Sequence, residues 1–185
     1  VLLEQALMRF ALEILREKGF TLMTVPLMMR KAAYEGVTDV AAFNEVMYKI
    51  ENDDEYMIAT SEHPLVAQFM YEVIEEKELP VKVAGISSCF RKEAGAHGVD
   101  EKGLFRVHQF NKIEQVVLCK EEDSVKIHEE MLKNAEEIFK ALELPYRVVL
   151  LCSGDTSKVM AKTYDIEVWM PRTQQYREAV SASIA

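Results

Sequence analysis

A chain of 185 residues, 49% of them hydrophobic, is long enough to bury one substantial core and too short for two ordinary domains, so a single domain over 1–185 is expected. Its 22 basic and 31 acidic residues leave a net charge of -9, which excludes a general electrostatic binder of nucleic acid and leaves only local contact with RNA. No apolar run approaches the ~20 residues of a membrane span and no basic-then-apolar leader opens the chain, so a soluble, cytoplasmic protein is expected.

Leu2, Leu3, Ala6, Leu7, Phe10, Ile14 and Leu15 recur at helical spacing, and Lys18-Gly19 supplies a glycine C-cap, which predicts a first helix. Thr21–Val25 reads as a short strand stopped by Pro26, whose missing N–H cannot extend a central ladder. After a mixed segment, 47–50 and 55–59 flank the turn-forming Asn52-Asp53-Asp54 and predict a hairpin. Thr60 or Ser61 is a candidate cap for a helix over 62–76, with Pro64 tolerated in its first turn. Residues 81–91 and 104–118 are rich in strand formers and separated by a polar loop over 93–103 that carries Gly95, Gly98 and Gly103, a long antiparallel hairpin. An acidic amphipathic helix over 121–142 and strands at 146–151, 163–170 and 175–183 complete the pattern. The order is α+β with a mainly antiparallel sheet.

Three places carry candidate chemistry. In the second arm of the long hairpin Arg106, His108, Phe110, Lys112 and Glu114 alternate with Val107, Gln109, Asn111 and Ile113, so neither face is purely apolar. Such a strand either lines a wet cleft or lies at an exposed edge. Arg91 and Glu93, two apart, share a face; the guanidinium suits a phosphate, while an ordinary ion pair of Arg91 with Glu93 or another carboxylate is the simpler alternative. In 164–170, Tyr164, Ile166, Val168 and Met170 read as inward and Asp165 and Glu167 as outward, either a Mg²⁺ contact or solvated acids. The four histidines and the widely spaced Cys89, Cys119 and Cys152 form no ligand-spaced group, so no zinc is expected and the thiols are expected reduced.

Phe90-Arg91-Lys92-Glu93-Ala94-Gly95, continuing to Gly103-Leu104-Phe105-Arg106-Val107-His108-Gln109-Phe110-Asn111-Lys112-Ile113-Glu114-Gln115, closely resembles motif 2 of seryl-tRNA synthetases. Thr60-Ser61-Glu62 resembles that family's T-x-E serine loop, Cys152-Ser153-Gly154-Asp155 its C-T-G-D stretch, and Tyr176-Arg177-Glu178 with Ser181 and Ser183 its Y-R-E-x-x-S-x-S strand. Helix one and the strand ending at Pro26 look like motif 1. The resemblance spans essentially the whole chain and is closest to archaeal members. It implies the class II fold, an antiparallel sheet flanked by helices, with motif 1 at a homodimer interface.

It also implies roles. Arg91 contacts the α-phosphate of ATP and also binds serine, Lys92 and Glu93 help hold the nucleotide, Val107 lines its site and Phe110 stacks on adenine. Thr60, Ser61, Glu62 and Glu114 bind serine. Glu178 and Ser181 meet Mg²⁺-ATP, with Glu167 a weaker candidate. On a regular strand Glu178 and Ser181 face opposite ways, so a bulge between them is expected. The implied reaction is ATP-dependent formation of seryl-adenylate followed by transfer to tRNA(Ser). Two family features have no counterpart in the sequence: the long helical hairpin that grips tRNA, and the motif 3 arginine, since Ser181-Ala182-Ser183 is followed by Ile184-Ala185. A non-catalytic paralogue or dimerisation module is therefore an alternative expectation. An amino acid:carrier-protein ligase, expected to place a zinc-binding cysteine at the position of Thr60, is a further one that metal analysis discriminates.

Overall fold

The computed structural model describes residues 1–38, 45–93 and 105–185, which form two compact units, Val1–Leu118 and Cys119–Ala185. In the first unit α1 (Leu2–Glu17) ends as its sequence requires: the Phe20 N–H reaches the Leu15 carbonyl at 3.0 Å, and Gly19, at φ 84°, takes the left-handed turn that a side chain would strain. The chain then enters β1 (Thr21–Thr24), β2 (Met28–Arg30), α2 (Lys31–Glu35) and β3 (Glu55–Met57). A short helix, α3 (Glu62–Ala67), leads to the long arms β4 (Val81–Phe90) and β5 (Gln109–Leu118).

The expected long hairpin is present, with β4 and β5 antiparallel from Val81↔Leu118 to Phe90↔Gln109, and β1 adds to the far edge of β4 in parallel. Directly opposed residues share a face, so Val83, Gly85, Ser87 and Cys89 lie with Val116, Glu114, Lys112 and Phe110. The α3 helix covers the first part of this face, where Leu65 packs on Val83 and Val116. Against the opposite face, Leu15 of α1 and Phe20 bury Ala84, with Ile113 and Val117 alongside. The hydrophobic row therefore changes into a polar one along a single strand, and α3 begins beside that change, with Thr60 just before it bonded to Glu114.

Several expectations shift. The second arm starts at Gln109 rather than 104, because residues 105–108 bend, with the His108 carbonyl accepting from the Arg91 N–H at 3.0 Å. The hairpin over 47–59 shrinks to one bridge, Lys49↔Tyr56, because β3 uses its other edge to pair with β2, a strand hidden with α2 in the segment that carried no clear periodicity. The helix expected to reach 76 stops at Ala67: the Gln68 side-chain amide donates to the Leu65 carbonyl at 2.8 Å, and Tyr71 turns left-handed at φ 66°. The Ala94-Gly95 pair, the loop glycines, and Gly103-Leu104 fall outside the described residues.

In the second unit, a short 3-10 turn over 121–123 precedes α4 (Ser124–Ala141), and β6 (Tyr146–Leu150), β7 (Lys162–Met170) and β8 (Gln175–Ile184) form an antiparallel sheet in that order. Leu132 and Ala135 of α4 pack on Ile166, with Phe139, Tyr146, Tyr164 and Val180 completing the core. His128 is buried in the same layer, bonded through Nε2 to the Ala182 carbonyl at 2.8 Å and stacked on Tyr164. The other sheet face carries the opposed pairs Thr163↔Ser183, Asp165↔Ser181 and Glu167↔Glu178. Every strand pairing among the described residues is antiparallel except β1 with β4.

Candidate functional site

In the first unit the segment 57–60 is held from several sides before it delivers Thr60. The Met57 N–H bonds to the Tyr48 carbonyl at 2.9 Å, the Ile58 N–H to Leu27 at 2.9 Å, and the Phe90 N–H to the Ile58 carbonyl at 2.8 Å. Arg91 Nε donates to the Ala59 carbonyl at 3.1 Å. Ile58, Ala59, Thr60 and Ser61 are all buried. A backbone tied at consecutive peptides has little freedom, so the Thr60 hydroxyl is placed by main-chain geometry rather than by its own rotamer alone.

That hydroxyl donates to Glu114 Oε2 at 2.9 Å and accepts from Lys112 Nζ at 3.0 Å, while Lys112 and the same Glu114 oxygen are 2.5 Å apart. Lys112 and Glu114 alternate on one face of β5, as their spacing predicts, and Phe110 follows on that face with the Arg91 guanidinium 5.3 Å from its ring centre. Glu62, at the start of α3, has its carboxyl held above the usual carboxylate range, first by burial and then by the Glu114 charge, against the opposing pull of Lys112 and Arg91. His63 behind it is pushed down to about 4, by burial first and then by the charges of Lys112 and Arg91, and stays a neutral imidazole at physiological pH. The result is a half-enclosed cluster of two carboxylates, two cations and one hydroxyl, with charge of both signs to offer a small zwitterion.

The sequence-predicted residues divide clearly. Thr60, Glu62, Arg91, Phe110 and Glu114 come together around this cluster, with Lys112, which sequence reasoning placed on the strand face but gave no role. Its signal was the alternation with Phe110 and Glu114. Ser61 is fully buried beneath them. Among the described residues Glu93 pairs with Arg106, its carboxylate meeting that guanidinium at 2.8 Å, at a backbone turned left-handed with φ 51°. Lys92 is exposed, its N–H bonded to the Val46 carbonyl at 2.8 Å and its ammonium 5.9 Å from the Tyr48 ring; Tyr48 in turn hydrogen-bonds His108 Nδ1. Val107 is half-buried in the bend before β5.

The second unit contains the expected bulge. Register passes from Ile166↔Val180 to Glu167↔Glu178, so Ala179 is the extra residue and Glu178 is rotated onto the face of Ser181. Asp165 corrects the outward reading of the two acids: it is buried, and its Oδ1 has no hydrogen-bond partner among the described residues. Burial raises its carboxyl above the usual range, a hydrogen bond from Ser181 opposes that, and the neighbouring Glu167 adds to it. Glu167 is itself engaged by Arg147, through Nε at 2.6 Å. Among the described residues no group of three or more His, Cys, Asp or Glu is arranged to hold a metal ion alone, and no helix is long and apolar enough to cross a membrane.

Comparison with known proteins adds identity to this geometry. The family described as tRNA synthetase class II core domain (G, H, P, S and T) matches residues 45–185. A serine–tRNA ligase of Methanocella arvoryzae is 63% identical over 99% of the chain and 43% of its own length. The chain thus spans under half the length of the curated relatives it matches. Seryl-tRNA synthetase from Pyrococcus horikoshii, solved with ATP, superimposes with a TM-score of 0.94 at 52% identity, covering 98% of this chain and 40% of that one. The cytoplasmic serine–tRNA ligase of Naegleria fowleri, in complex with AMP, gives 0.89 at 41% identity over 96% and 43%.

Proposed function

This chain belongs to the tRNA synthetase class II core family, and on that footing we propose that it carries the serine-activating chemistry of a seryl-tRNA synthetase. The observation that supports this most is the Thr60–Lys112–Glu114 cluster beside Arg91. In this reading Glu114 and Glu62 take the ammonium and hydroxyl of serine, and Thr60 and Ser61 shape the pocket floor. Lys112 and Arg91 face the substrate carboxylate. Alanine and glycine would leave the carboxylate wall unpaired, which is how a hydroxyl-reading site rejects analogues without one.

For the reaction, a serine carboxylate oxygen attacks the α-phosphorus of ATP; the bond to the bridging oxygen breaks and pyrophosphate leaves with the electron pair. Arg91 stabilises the charge that accumulates on the α-phosphoryl oxygens, and Phe110 offers its ring to adenine. Lys92, Val107 and Glu93, the last fixed by Arg106, line the nucleotide. The seryl group then passes to a terminal hydroxyl of tRNA(Ser), with AMP leaving. No protein nucleophile is required, because positioning and charge stabilisation suffice.

Mg²⁺ fits the second unit's polar face: the bulge puts Glu178 and Ser181 on one side of the sheet, and Asp165 beside Ser181 has an oxygen without a hydrogen bond among the described residues. Glu178 and Ser181 are the residues assigned to the ion, with Glu167 weaker; an ion that retains water and phosphate oxygens needs few protein oxygens. When bound it would neutralise charge on the phosphates. Leu2, Leu3 and Leu7, exposed on α1, support a homodimer through the motif 1 region, and a cytoplasmic location goes with this function. A non-hydrolysable sulfamoyl analogue of seryl-adenylate should bind at least about a hundredfold more tightly than the alanyl analogue. Equal binding of the two would count against a serine pocket.

A further inference from the structure

The cluster that reads the amino acid depends on how closely the 60–62 segment sits over β5, and two residues outside the cluster control that distance. Gly85 lies directly opposite Glu114 in the β4–β5 ladder, on the same face. A Cβ at this position would stand 2.9 Å from Leu65 Cδ1, 3.2 Å from Leu65 Cγ and 3.2 Å from Ser61 Cβ. Ser61 and Leu65 are both fully buried, so neither moves aside into solvent. The glycine is therefore what lets the first turn of α3 descend until Thr60 reaches Glu114.

Tyr34 acts from behind. It is fully buried in α2, donates from Oη to the Met57 carbonyl at 3.3 Å, and shares a backbone hydrogen bond with Ala59. Burial pushes its phenol up to about 12, so the hydroxyl keeps its proton at physiological pH. The Ala59 peptide is thus held by Tyr34 and, through its carbonyl, by Arg91 Nε. The His63 ring packs edge-on against Tyr34 at 5.1 Å, which ties α2 to α3 one residue past Glu62.

We propose that Gly85 and Tyr34 are positioning residues that set the height of the Thr60–Glu62 segment above Glu114, and through it the size of the amino-acid pocket. This rests on the reading of that segment as the serine site. A side chain at 85 displaces Ser61 and Leu65 away from β5 by a few tenths of an ångström. The Thr60–Glu114 bond lengthens, and the pocket opens toward a substrate one methyl group larger.

The test is amino-acid-dependent ATP–pyrophosphate exchange by the intact protein with serine and threonine, for wild type, Gly85→Ala and Tyr34→Phe. Gly85→Ala is expected to raise the serine KM about tenfold and to raise threonine relative to serine in kcat/KM at least about fivefold, with the ATP KM within about twofold. Tyr34→Phe keeps the ring and its packing, so it supplies the answer if Gly85→Ala does not fold; a serine KM about threefold higher with unchanged ATP KM is expected. If folded Tyr34→Phe and Gly85→Ala leave serine KM and the threonine-to-serine ratio at wild-type values, or raise serine and ATP KM together, the proposal is overturned while serine activation stands. Wild-type protein with no serine-dependent exchange overturns the serine-site reading and this inference with it.

Discussion

His63 makes the stability of the first unit depend on pH in a direction that can be calculated. Its imidazole is 4% exposed and ordinarily titrates near 6.5, but burial first, then Lys112 and Arg91, push it down to about 4 in the fold. The unfolded chain therefore takes up the proton first. The stability that neutral His63 permits is present above the unfolded pKa and is lost as pH falls through the window toward 4. The displacement corresponds to about 3 kcal/mol when complete and about 2 kcal/mol at pH 5. Glu62 works oppositely: its raised carboxyl lets the folded state bind a proton above the ordinary glutamate range, so acidification relieves rather than penalises it. Comparing wild type with His63→Gln, which retains Glu62, separates the two. Urea unfolding followed at pH 7, 6 and 5 should show the stability difference moving in favour of the variant by about 2 kcal/mol across that range. Parallel pH curves for the two proteins would refute the buried neutral imidazole.

Three further outcomes follow from the same contacts. Thr60→Val removes the donor to Glu114 and the acceptor of Lys112 without changing side-chain size, and should weaken serine binding by about 1–3 kcal/mol in calorimetry while leaving ATP binding unaltered. Lys112→Met takes away a cation that lowers the Glu62 pKa, so the acidic limb of kcat/KM for serine should move to higher pH; an unmoved limb would contradict the coupling. Ser181→Ala removes the hydrogen bond that opposes the raised Asp165 pKa, and a carboxyl-carbon NMR titration should show Asp165 protonating at higher pH than in wild type.

The parts of the site that were legible in the sequence are those governed by local geometry. Alternation along 106–114 placed Phe110, Lys112 and Glu114 on one face before any partner was known, while the bulge found at Ala179 was called for only by the shared role that the family resemblance implies for Glu178 and Ser181. Partners across the fold were not legible. The Glu93 carboxylate goes to Arg106, and β1 pairs in parallel with a strand some sixty positions later, because pairing depends on tertiary approach that periodicity does not encode. Asp165 looked outward-facing because alternation reports which face a residue occupies, not whether that face is open to water. The early end of α3 has a comparable origin: the apolar residues continue past Ala67, yet Gln68 captures a carbonyl and Tyr71 leaves the helical region.

The most direct test of serine activation is ATP–pyrophosphate exchange with serine, alanine and glycine, run beside Arg91→Lys. This variant keeps a positive charge but loses the planar guanidinium that bonds the Ala59 carbonyl and covers Phe110. Serine-dependent exchange, absent with alanine and glycine and reduced at least about tenfold by Arg91→Lys, is the predicted result. Exchange that proceeds equally with all three amino acids, or that is indifferent to Arg91→Lys, would contradict the account.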